Sequence, residues 1–597
     1  MRLLMERAEG KTAVQKAASL NPLGRKPTKL MAATCVVTML GQTPSAAQDA
    51  NCPNPSIDPS RSIVVTDGAL DRERFAFSST IDAILTSLGI PPDATNRENF
   101  VKTLIGSFNA QQFNNSDSGL PMKVDVRGLE AALDPAKLLD PAEPIGLVPI
   151  ALFNRFDLVP ADLSNCGEHR IVYSFKAPIA NAGGPPSRFF LIFEARLRNP
   201  SPGASPEASF EGCRPVANFW RQLSDVADPA LRADQLAQFY YTGIAGAAGP
   251  VVQARNFGGP LGQVRGNIFM NSPGAPPKWQ LREWIVINSG GTTPATFLPV
   301  TVKTNPLAEL YQDANPASLS EVLEALERSR FQQDFAGRHT RELLDHEFVS
   351  GLGPGDEGYE SRLDIDSPDF SEEWYRISLL NKVGARFDNR ANEFQSVSQG
   401  NEDDPLTVSH LAGGLFLNRA SAGLSGIAVA PDRKPTIDEV VDRAGAITCG
   451  GCHGFSEGRQ VGSLTRRVGG QTVKTTITWP ADEGFVHVTE PGGAGGTLLS
   501  EALRMAFVPF REDVLKNAVC LEPPAPEVSR MAGAAAATFA AQQNEYQTII
   551  QELSAANAGG NQAERAAAAA RVLERTNELR EDEIQKPGFF VTNRRPH

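Results

Sequence analysis

RFFLIFEARL, residues 188–197, decides the fold class. It is dense in aromatic and branched apolar side chains, the composition of a buried, pleated strand. HRIVYSF (169–175) precedes it with the same character, and VRGNIFMN (264–271), LREWIVI (281–287) and TFLPVTVK (296–303) follow it. All are bounded by Gly, Pro, Asn or Ser, so residues 145–305 are expected to form one mostly antiparallel sheet. PVANFWRQLSDVA (215–227) and ALRADQLAQFYYTGI (230–244) read as helices between two of these strands, placed to cover one face.

Residues 48–144 form a helical N-terminal region after an extended lead-in at 48–75. STIDAILTSLG (79–89) and NRENFVKTLIGSFNAQQF (96–113) both show helical periodicity, and the stripe Phe100, Leu104, Phe108, Phe113 reads as core. Residues 306–435 read as a helical connector. LSEVLEALERSRFQQDF follows a capping candidate, Ser318, and GRHTRELLDHEF continues the pattern. Acidic loops at 351–370 and 398–405 lack the spacing of a calcium-binding helix–loop–helix and read as solvated. Residues 436–524 look helical again, and 525–597 hold two Ala-rich helices (527–556 and 562–582) that suit a hairpin. The expected class is therefore α+β, a central antiparallel sheet with covering helices followed by a mostly helical C-terminal module and the Ala-rich hairpin.

The chain has 597 residues, 41% hydrophobic and 21% charged, which excludes fibrous and wholly disordered classes and suggests three to four domains or lobes. A formal charge of -12 argues against nucleic acid as a partner. Arg25, Lys26 and Lys29 precede the apolar run LMAATCVVTML (30–40), and Ser45 and Ala47 suit the small-residue cleavage positions. Residues 1–47 thus read as an export signal cleaved near Ala47, with translation from Met31 as the alternative start. The mature chain would carry 50 basic and 67 acidic residues, a charge of -17. No later segment is long and apolar enough for a transmembrane helix. A periplasmic or secreted protein meets an oxidising compartment, so Cys52, Cys166, Cys213, Cys449, Cys452 and Cys520 each need a partner or a ligand.

Cys449-Gly450-Gly451-Cys452-His453 is a CxxCH, expected by chance about once in a thousand such chains. Helical spacing brings both thiols to one side of a turn, where they can add to the two vinyl groups of haem while His453 offers its imidazole to the iron. TIDEVVDRAGAIT (436–448) carries a helix start signal and places the motif at a helix end.

ITCGGCHG (447–454) resembles the haem-attachment segment of c-type cytochromes, including the small residue after the His. That resemblance covers about 435–520. It implies one covalent haem c on Cys449 and Cys452, His453 as proximal iron ligand, and single-electron transfer to a redox partner. The acidic surface favours a partner with a basic docking patch. VPIALFNRFDLVP, NCGEHRIVYSF and EGCRPVANFW also resemble exported bacterial proteins of uncharacterised role that pair such a region with a single CxxCH. For a sixth iron ligand, Met505 in EALRMAF lies at the expected distance along the chain, with His487 in GFVHVTE as the alternative and His410 more remote. Met505 also reads as a core methionine, and His487 as a structural histidine.

Other readings of the motif remain. One is a haem enzyme of peroxidase or oxygenase type with an open iron position. Another is a non-haem structural or binding protein with a Cys449–Cys452 disulfide. Zinc would lack a fourth ligand, and a thioredoxin-like site would want a strand before the CxxC. Cys166 and Cys213 flank the first two strands and are the first choice for a disulfide, leaving Cys52 and Cys520 to tie the ends.

Elsewhere, Asn154, Arg155 and Asp157 in FNRFD read as a turn locked by an Arg–Asp pair. His339 and His346, with Glu342, Asp345 and Glu347 nearby, lack the HExxH pattern of a metalloprotease. GGPLGQVRG (258–266) leads into a strand and reads as a turn, and no nucleotide-binding or GxSxG signature is present.

Overall fold

The computed structural model describes residues 55–304 and 435–520, interrupted at 71, 115–120, 161–162, 182–185, 202–205, 259–261, 271–278, 289–294, 447, 469–470 and 492–496, together with a few positions between 376 and 425. The export signal, Cys52, the acidic loops, His339, His346, His410 and the Ala-rich hairpin lie outside the described residues.

Seven strands form one antiparallel sheet in chain order: β1 (Val64–Val65), β2 (Leu147–Arg155), β3 (Asn165–Phe175), β4 (Arg188–Arg198), β5 (Gly262–Phe269), β6 (Gln280–Ile287) and β7 (Thr296–Val300). The predicted α+β class and antiparallel sheet are thus present. β2 is a further strand, from a run of apolar residues that carries Pro149. A register shift between Pro149 and Ala151 accommodates the proline, which has no N–H to give to the ladder.

Strand alternation sends Ile171, Tyr173, Phe189, Leu191, Phe193, Val264 and Ile268 to one face. Helices α1 (Phe77–Ser87) and α2 (Ala94–Gly106) pack on it. Phe77 meets Tyr173 edge-on at 5.3 Å, and Phe100 stacks on Phe297 at 4.2 Å. The insertion between β4 and β5 supplies α3 (Pro206–Leu223) and α4 (Pro229–Tyr241), whose Trp220 and Phe239 enclose His169. Cys166 of β3 and Cys213 of α3 form the expected disulfide.

The opposite face is also buried, and it is charged. Arg170 bonds Glu168 at 2.6 Å and Glu194 at 3.1 Å, and Arg265 reaches Glu283 at 3.1 Å, with 16% exposure or less at each side chain. Adjacent strands thus set opposite charges side by side, which satisfies ionised groups that burial alone would penalise. At one edge the FNRFD segment closes as predicted: the Arg155 guanidinium grips the Asp157 carboxylate at 2.8 Å, and Asn154 Oδ1 accepts the Phe156 N–H.

The segment 435–520 lies against this charged face. Arg511 stacks over Phe153, and Arg188 of β4 makes a two-toothed pair with Glu490 at 2.6 and 2.8 Å. The segment starts with α5 (Ile437–Ala446), capped reciprocally: Thr436 Oγ1 accepts the Glu439 N–H, and Glu439 Oε2 accepts the Thr436 N–H. It ends in α6 (Val508–Cys520). Cys520 is disulfide-bonded. Between these helices the structure departs from the helical expectation. A hairpin of β8 (Gln460–Val468) and β9 (Gln471–Thr478) brackets the sequence Gly469-Gly470. No described helix is long and apolar enough to cross a membrane.

Candidate functional site

α5 leads into the CxxCH, and the chain turns at Gly451–Phe455 with a kink at Gly454 (φ 166°, ψ −52°). Thr448 builds the junction, its hydroxyl donating to the Gly445 carbonyl at 2.7 Å and accepting the Gly451 N–H at 2.9 Å. Gly451 is required there, because a Cβ would lie 1.9 Å from the Gly445 oxygen. Leu503–Phe507 is a wide, π-type turn.

Cys449 and Cys452 are both thiols and both buried. Cys452 Sγ lies 3.0 Å from His487 Nε2, and His487 Nδ1 lies 2.9 Å from Ser500 Oγ. Ser500 Oγ accepts the Leu503 N–H at 3.0 Å, so its hydroxyl hydrogen is available to His487. The His453 and His487 rings face each other with centroids 4.5 Å apart. Trp279 lies beside His453 and Phe507 meets His487 edge-on, while Phe485, against Trp279, is backed by Phe455.

His453 is fixed by a strained loop. Asp482 Oδ1 accepts the N–H groups of Gly484 and Phe485, and Phe485 takes a φ of 65°, a left-handed conformation that is costly with a side chain. Its carbonyl thereby faces His453 Nδ1 at 3.0 Å. Gly454 leaves room for the Phe485 ring, which a Cβ there would meet at 2.8 Å. Trp479 Nε1 and Ser456 Oγ are buried polar atoms with no hydrogen-bond partner among the described residues.

Burial governs the electrostatics. It pushes His453 down to about 4, aided by the Arg265 guanidinium and opposed by the bond to Phe485. His487 is held well below its ordinary value by burial, then by His453 and Arg511. The Cys452 thiol is pushed up by burial, with Cys449 and Asp482 adding to the rise. At neutral pH the Cys452–His487 contact is therefore a neutral thiol beside a neutral imidazole, unlike the charged pair of a cysteine nucleophile. Among the described residues no three His, Cys, Asp or Glu side chains are grouped to hold a bare metal ion.

Cys449, Cys452, His453 and His487 are thus brought together. Met505 lies on the Leu503–Phe507 turn, half-buried and packed against the core, while the ring that faces His453 is that of His487. Asn267, Trp279 and Arg188, which anchor the loop around Phe485, carry no sequence signal for this site. They reach it only through the fold. No protein-family model, curated protein or solved structure matches the chain.

Proposed function

We propose that the chain is an exported single-electron carrier with one haem c attached through Cys449 and Cys452, His453 serving as iron ligand. The observation that carries this reading is the state of His453. A carbonyl oxygen can only accept, so the Nδ1 atom facing Phe485 O bears the proton and Nε2 keeps the lone pair that a metal needs. Two thiols on the preceding turn and a second imidazole opposite complete a donor set that suits a haem. The unmet donors Trp479 Nε1 and Ser456 Oγ suit the carboxylates of such a group. Entry requires the His453 and His487 rings to part. With Cys452 held as a thioether, its sulfur would have no proton to offer His487 Nε2. Bound there, haem supplies one-electron exchange at its iron. His487 is the better placed sixth ligand, and Met505 the alternative. An internal sixth ligand favours a carrier over an enzyme with an open iron. The acidic surface suits a partner with a basic patch, in the periplasm or outside the cell.

The test is production of the full chain in cells with haem-maturation machinery. Haem stain retained after denaturing electrophoresis and lost in Cys449→Ala/Cys452→Ala is expected. So is a low-spin reduced spectrum that turns high-spin in His487→Ala and stays low-spin in Met505→Leu. Absence of covalent haem from the wild type sinks the reading, and a high-spin wild type moves it to the open-iron enzyme.

A further inference from the structure

Asn267 lies on β5, far from the motif in sequence, yet its amide is oriented without ambiguity. The indole Nε1 of Trp279 is a donor only, and it points at Asn267 Oδ1 at 2.6 Å. The other end of the amide, Nδ2, therefore faces the Phe485 carbonyl at 2.9 Å. That oxygen has two lone pairs. Asn267 occupies one, and His453 Nδ1–H occupies the other at 3.0 Å.

The carbonyl needs holding. Phe485 sits at φ 65°, a left-handed conformation that a residue with a side chain disfavours. The sheet supplies the restraint: Arg188 Nη1 donates to the carbonyls of Glu483 and Gly484 at 2.8 Å each, and Asn267 takes the next carbonyl along. Trp279 closes the arrangement from the side, its ring centroid 5.7 Å from that of His453.

We propose that Asn267, oriented by Trp279, is a positioning residue for His453, holding the Phe485 carbonyl where it enforces the Nδ1–H tautomer and leaves Nε2 as the ligating nitrogen. That Nε2 binds iron rests on the haem reading above; the tautomer does not. The charged sheet face is then part of the site, and it acts through one backbone carbonyl.

The experiment uses the full chain labelled with 15N at histidine and made without haem-maturation machinery. The His453 side-chain resonances are assigned by their loss in His453→Gln. In the wild type they are expected to report a single neutral Nδ1–H tautomer. In Asn267→Leu, which removes the donor at similar size, an Nε2–H population is expected to appear. Asn267→Val, also compatible with a strand, serves should the leucine variant fail to fold. A folded variant whose His453 keeps the pure Nδ1–H tautomer overturns the proposal, as does a wild-type His453 that already carries Nε2–H. Haem staining of the wild type, made separately with the maturation machinery, decides the functional reading independently.

Discussion

Two buried histidines show how a single partner sets an imidazole. His453 meets an acceptor at Nδ1 and must carry a proton there; His169 meets a donor at Nδ1, the Trp220 indole at 3.1 Å, and must carry its proton on Nε2. Burial pushes His169 down to about 3, against a smaller opposing pull from a Cys166 backbone contact and from Glu168. Between that value and the ordinary 6.5, the unfolded chain binds a proton that the folded chain excludes. Its contribution is therefore complete above about pH 6.5 and is lost as pH falls toward about 3, by roughly 1.4 kcal/mol per pH unit within that window. His169→Gln, whose side-chain oxygen can still accept from Trp220, is expected to flatten the acid limb. Urea unfolding at pH 4, 5, 6 and 7 measures this. Parallel stability curves for the two proteins contradict it. Asp442 and Asp482, raised to about 6 mainly by burial, tilt stability the other way over their own range, but they are common to both proteins and drop out of the difference.

The 482–490 loop rests on few anchors, and Arg188 is the largest. Its side chain is 10% exposed and that of Glu490 3%, so removing one partner strands the other charge in a buried setting. Arg188→Met is expected to cost about 3–5 kcal/mol, and the double change with Glu490→Met to recover much of it. Recovery stays incomplete because the Glu483 and Gly484 carbonyls lose their donor. Denaturant unfolding gives the cost, and hydrogen exchange over 482–490 shows whether the loop loosens. Single variants as stable as the wild type remove the loop's dependence on this pair. Elements were legible where apolar side chains kept a period. β3 to β7 and α1 to α4 announce themselves in this way, as does the capping box of α5. β2 did not, because its apolar run does not alternate and carries Pro149; nor did the β8–β9 hairpin, where buried Val461 and Ile477 stand among Thr, Lys and Arg residues without a regular alternation. Cys449, Cys452 and His453 were legible from spacing alone. His487 was one candidate among several until the fold turned it toward His453, and Asn267 and Trp279 are joined to the site only by register on the sheet.

Across the whole molecule, the two faces of one sheet are covered by different parts of the chain. The apolar face takes helices from the first 241 residues, and the charged face takes a segment that begins some 130 residues after the last sheet strand. Contacts of such high sequence separation carry a larger loop-closure entropy than local ones. In the folded chain made without haem-maturation machinery, Cys449 and Cys452 are each 2% exposed, so a thiol reagent is expected to spare both until the chain unfolds. Rapid labelling of either in the folded protein contradicts that burial. The Arg188–Glu490 clasp, spanning 302 residues, gives this a consequence in time. Chemistry that is to reach the two buried thiols is expected to do so before that clasp fastens. On the haem reading proposed above, attachment at the turn is expected to precede closure of the sheet's charged face.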